Sequence, residues 1–76
     1  MTGALTVDVR DMQCAQALAT AARAMRGLPL GAVLELACNA QDVRRDLAAW
    51  AAHARHRLLS DEMRDGDIRL QIQKTQ

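Results

Sequence analysis

The amino-acid sequence predicts an α+β fold, a two-layer α/β sandwich of order β-α-β-α-β-β with a four-stranded mixed sheet and two helices on one face. Three observations carry this. Apolar and polar residues alternate near residues 5–10 and 68–73, and Ala32, Leu34 and Leu36 alternate with Val33, Glu35 and Ala37, the period of strands. Two intervening segments space their apolar residues four, three and four apart, which lines one face of a helix. The outward residues of the first and last strands are polar and each helix has one apolar stripe, so one sheet face is left to solvent.

The elements follow in order. Leu5, Val7 and Val9 alternate with Thr6, Asp8 and Arg10, and Asp11, Met12 and Gln13 form a short connection. From Cys14 the pattern turns helical: Cys14, Leu18, Ala21 and Met25 share a face, and alanines at 15, 17, 19, 21, 22 and 24 add helix propensity. Gly27 is the expected stop, with Pro29 as a further breaker. Gly31 opens the second strand, in which Ala32, Leu34, Leu36 and Cys38 share one parity. Asn39 is read as the N-cap of the second helix, and Asp42 falls in its first turn, where the dipole favours an acid. Val43, Leu47, Trp50 and Ala54 form that helix's stripe. Residues 56–63 read as a third strand. Asp65-Gly66 signals a tight hairpin turn, and Ile68, Leu70 and Ile72 mark the fourth strand.

Seventy-six residues are read as one domain, 1–76, with a core at about 5–74. Hydrophobic residues make up 50% and charged residues 25%, an ordinary globular composition. The net charge of +1 and a single aromatic residue, Trp50, argue against nucleic-acid binding as the main role. Two cysteines do not make a disulfide framework. Met1 to Leu5 lacks a basic segment followed by an apolar run, so no signal peptide is expected. No apolar stretch approaches the roughly 20 residues that span a bilayer. The expected location is cytoplasmic.

Cys14 is the candidate functional residue. A thiol in the first turn of a helix meets unpaired N–H groups and the positive end of the dipole, which favour the thiolate. The alternative is a small apolar residue on the helix's buried stripe. Asp11 would raise the pKa of the thiol if close, or serve as a loop or capping residue. Cys38 continues the buried parity of Leu34 and Leu36; its alternative role is to resolve a persulfide as a redox partner of Cys14. His53 and His56 lack the ligand-dense surroundings of a metal site, and neither metal nor cofactor is expected. His56 is read as closing the second helix, and Trp50 as the anchor between helix and sheet. Arg44, Arg45, Arg55 and Arg57 form a basic band, either a solvated face or a docking surface for an acidic protein.

The order of elements and the run Asp8-Val9-Arg10-Asp11-Met12-Gln13-Cys14-Ala15-Gln16-Ala17 resemble the TusA/SirA-like sulfur-carrier family, whose pattern here is Asp-x-Arg-Gly-Leu-x-Cys-Pro-x-Pro. Gly31, Asp46 with Trp50, His56 and Ile72-Gln73-Lys74 match further family features. The chain departs where the family glycine is Asp11, where both prolines are alanines (Ala15 and Ala17), and where the glycine before the histidine is Arg55. Proline fixes φ at a helix start, so alanine keeps the helix but gives up that constraint. The resemblance implies a sulfurtransferase-like carrier holding a persulfide on Cys14. It would relay sulfur between donor and acceptor proteins of rhodanese, cysteine-desulfurase or DsrE-like type. The alternative is a non-catalytic member acting as a regulatory or protein-interaction module, which Asp11, Ala15 and Ala17 favour.

Overall fold

The six predicted elements follow one another in the computed structural model, which describes residues 4–76: β1 (Ala4–Asp8), α1 (Cys14–Arg26), β2 (Val33–Cys38), α2 (Gln41–His53), β3 (Arg57–Arg64) and β4 (Asp67–Gln73). Residues 1–3, where the predicted domain begins, lie outside the described residues. The strands form one mixed sheet in the order β1-β2-β4-β3. β1 runs parallel to β2, with Leu5 opposite Leu34 and Val7 opposite Leu36. β4 is antiparallel to both β2 and β3 and carries their hydrogen bonds on its two sides.

The period-two pattern decides which residues enter the core. Leu34, Leu36 and Cys38 of β2 and Ile68, Leu70 and Ile72 of β4 are buried beneath the helices. Ala17, Ala21 and Met25 of α1 and Val43, Leu47 and Ala51 of α2 meet them. The buried stripes therefore sit slightly off the expected ones. Ala17 replaces Cys14 and Leu18 as the deepest contact of α1, and Ala51 replaces Trp50 on α2; Cys14, Leu18 and Trp50 pack at the core's margin. Indole is too large for the tight seam that alanine fills, so Trp50 lies beside the core rather than anchoring it. The opposite sheet face is polar: Glu35 accepts hydrogen bonds from Arg69 Nη1 at 3.3 Å and Gln71 Nε2 at 3.1 Å.

The edge strands are only half covered. Leu5 of β1 and Leu58 and Met63 of β3 remain exposed, because two helices are too narrow to roof four strands. A bulge between Leu58 and Ser60 interrupts β3, a device that blunts an open edge.

The turns carry the sharpest local chemistry. Asp65 and Gly66 have φ of 54° and 83°, the double left-handed conformation of a two-residue type I′ hairpin. α1 ends at Gly27 as expected, but with φ of −80°; its last turn closes through Gly27 N–H to Ala24 O and Leu28 N–H to Met25 O. α2 ends in a Schellman motif, with His56 N–H donating to Ala51 O and Arg55 N–H to Ala52 O. Arg55 occupies the left-handed position of that motif with φ of 64°, where glycine is normally preferred.

Candidate functional site

β1 and β2 end side by side, and each leads into a helix from the same edge of the sheet. This brings the starts of α1 and α2 together. Val9 extends the pairing by donating its N–H to Ala37 O at 2.9 Å. The chain then turns over residues 9–12, where Met12 N–H reaches Val9 O at 3.4 Å and Asp11 takes φ of 64°. Asp11 therefore stands where a turn asks for glycine. Its side chain offsets the strain: Asn39 Nδ2 donates to Asp11 Oδ1 at 2.8 Å, and Asp11 N–H donates to Asn39 Oδ1 at 3.0 Å.

This clasp corrects the capping role expected of Asn39 and leaves Asp11 as a loop residue, one of the two roles expected of it. Asn39 ties the two loops together, and the N-cap of α2 is Ala40, without a side-chain cap bond. Asp11 is turned towards Asn39. Arg10 is engaged elsewhere, bridging Asp8 at 2.9 Å and Asp67 at 3.1 Å. Its hydrogen bonds hold the Asp8 carboxyl down at about 2.

Cys14 is the first residue of α1 and is half-buried. Gln13 precedes it as an uncapped N-cap, and Gln13 O accepts the first helical bond from Ala17 N–H at 2.9 Å. The N–H groups of the first turn ahead of Ala17 have no intrahelical partner, and no acid stands in that turn. The carboxylates come instead from α2. Cys14 Sγ donates to Asp42 Oδ2 at 3.7 Å, and Asp46 lies one turn further along the same helix. Asp46, partial burial and Asp42 together push the thiol up to about 11, Asp46 contributing most. The carboxylates of α2 thus work against the depression expected from the dipole of α1. Asp46 was noted in the sequence only as a family match. The signal that finds it is topological, since two parallel βα units side by side place the first turns of their helices together.

Cys38 lies fully buried in the core cluster, and burial pushes its thiol up. His53 and Trp50 line a surface depression of about 340 Å³ between the helices, together with Leu18, Ala49 and Asp46. The His56 ring does not reach the helix carbonyls; its Nδ1 accepts from Thr75 N–H at 3.4 Å, and the ring tilts against Trp50 at 5.8 Å. The basic band divides: Arg44 pairs with Asp61 at 2.6 Å, and Arg45, Arg55 and Arg57 have no ion pair among the described residues. No three His, Cys, Asp or Glu side chains converge on a metal-sized site among the described residues. No helix among them is long and apolar enough to cross a membrane.

A family model described as sulfurtransferase TusA matches residues 5–74. The crystal structure of the SirA-like protein from Desulfitobacterium hafniense superposes with a TM-score of 0.84 and 20% sequence identity, covering 95% of this chain and 99% of the other. That likeness is one of fold. No curated protein matches the sequence significantly.

Proposed function

Because the chain belongs to the TusA sulfurtransferase family, a general sulfur-carrier role comes with it, and we propose that Cys14 is the carrying residue. In the loading step the Cys14 thiolate attacks the outer sulfur of a donor protein's persulfide. The donor's S–S bond breaks, its thiolate leaves, and a persulfide forms on Cys14. In the unloading step an acceptor's nucleophile takes that outer sulfur and returns Cys14 as thiolate. Donors and acceptors would be of rhodanese, cysteine-desulfurase or DsrE-like type.

The observation that carries this reading is the place of Cys14 at the first position of α1, within the run that resembles the family's cysteine motif. The free N–H groups of that turn suit the anion of a loaded persulfide. Asp42 and Asp46 oppose formation of the attacking thiolate, so the resting thiol is a poor nucleophile. That suits a carrier whose chemistry waits for a partner. It also favours the second reading, a member that has given up transfer and acts as a regulatory or protein-interaction module.

Incubation with a persulfide donor protein, followed by intact mass measurement, separates the two. The carrier gains one sulfur atom, and Cys14→Ser abolishes the gain while Cys38→Ser keeps it. Absence of the adduct on the wild-type chain, or its survival in Cys14→Ser, supports the second reading.

A further inference from the structure

At the end of the helix layer remote from Cys14, the last turns of α1 and α2, the segment after α2 and the residues that follow β4, Lys74 and Gln76, line an open depression of about 410 Å³. Its walls include Met25, Arg26, Trp50, His56 and Lys74. Its lining carries cationic and N–H donor side chains and no Asp or Glu. The size lies within the range of small-molecule sites.

Each donor is fixed or free in a definite way. Lys74 Nζ donates to Leu28 O at 2.6 Å and Arg26 O at 3.5 Å, which pins the ammonium at the end of α1 and leaves its third proton available. Arg26 has no ion pair among the described residues. His56 Nδ1 accepts a hydrogen bond from Thr75 N–H, so a neutral ring carries its proton on Nε2. Trp50 supplies the one large flat surface, braced by the His56 ring tilted at 57° to it. One indole makes no platform for a nucleic-acid strand, but it is enough for a single ring.

We propose that this depression binds a planar aromatic anion of nucleoside-monophosphate size. Its ring lies on Trp50, and its phosphate is held by Arg26, Lys74 and the Nε2–H of His56. Arg26 offers a planar fork to phosphate oxygens and Lys74 a fixed point charge. The site stands apart from Cys14 and does not depend on whether Cys14 carries sulfur.

Trp50 is the chain's only aromatic residue of the Phe, Trp and Tyr set, so intrinsic fluorescence reports on this one side chain; because Trp50 also lines the depression beside His53, the Arg26→Gln variant assigns the signal to this wall. Titration of the full chain with adenosine 5′-monophosphate is expected to give saturable quenching. Adenosine and inorganic phosphate, each lacking half of the recognised chemistry, bind at least about tenfold more weakly. Arg26→Gln, an exposed change that leaves the core untouched, weakens adenosine monophosphate by about tenfold and leaves adenosine unaffected. Cys14→Ser binds like the wild type. The proposal is overturned by non-saturable quenching, by equal affinity for the monophosphate and either fragment, or by an Arg26→Gln variant that binds the monophosphate as before.

Discussion

At the scale of single residues, the chemistry of Cys14 turns on two side chains that are 28 and 32 positions away in the chain and adjacent in space. With its thiol held near 11, about one molecule in a thousand carries the thiolate at pH 8. Replacing Asp46 by Asn is expected to lower the pKa by about one unit and raise the alkylation rate at pH 8 about tenfold, with a smaller gain for Asp42→Asn. Rates of iodoacetamide labelling across pH give the midpoints; an unchanged midpoint in Asp46→Asn contradicts the assignment. Cys38 should label only when the chain unfolds. The same thiol ties stability to pH. The folded chain keeps the Cys14 proton up to about 11, whereas an ordinary thiol loses it near 9.0. Between those values the folded state binds more protons, so stability falls as pH rises, and the raised pKa of Cys38 adds in the same direction. Chemical denaturation at a series of pH values should show this slope, reduced in Cys14→Ser. The position of Cys14 was legible in the sequence, because the strand period stops before it and the helix period begins at it. Its electrostatics were not, because burial of a thiol against carboxylates depends on which helices become neighbours.

At the scale of elements, three residues other than glycine are left-handed among the described residues, Asp11, Arg55 and the hairpin's Asp65, and the first two make contrasting cases. Arg55 closes the Schellman end of α2 at φ 64°, and its side chain is exposed without an ion pair among the described residues. Arg55→Gly should therefore stabilise the fold by about 0.5–1 kcal/mol, read as a rise in the denaturation midpoint. Asp11 differs, because its carboxylate offsets its conformation through Asn39. Asp11→Ala keeps the strain and loses the clasp, so it should cost about 1–2 kcal/mol, whereas Asp11→Gly should fall close to the wild type. The midpoints of the two variants, measured side by side, check both. Helix and strand types followed from periodicity, and Asp65-Gly66 announced its hairpin. The Asn39 clasp and the Ala40 cap were hidden because a short polar side chain bonds whatever approaches it, here a loop of another βα unit.

At the scale of the whole molecule, stability rests on a core drawn mainly from β2 and β4 and roofed by alanines together with Met25, Val43 and Leu47 of α1 and α2. Leu70 lies fully buried at the centre of β4, paired with Leu36 on one side and Asp61 on the other. Leu70→Ala should cost about 2–5 kcal/mol, a large share of the stability of a domain this size, and calorimetry should find its melting temperature far below that of the wild type. The sheet's membership was legible from alternation, and its order was not, since no residue of β3 or β4 states which neighbour it will take. That order has a consequence for how the chain comes into being. β4 follows the other strands in sequence yet lies between β2 and β3. A nascent chain that has emerged only as far as β3 can pair β1 with β2, but β3 has nothing to pair with. β3 gains its place in the sheet only through β4, its hairpin partner, so the four-stranded sheet is withheld until synthesis has passed the residues that complete it.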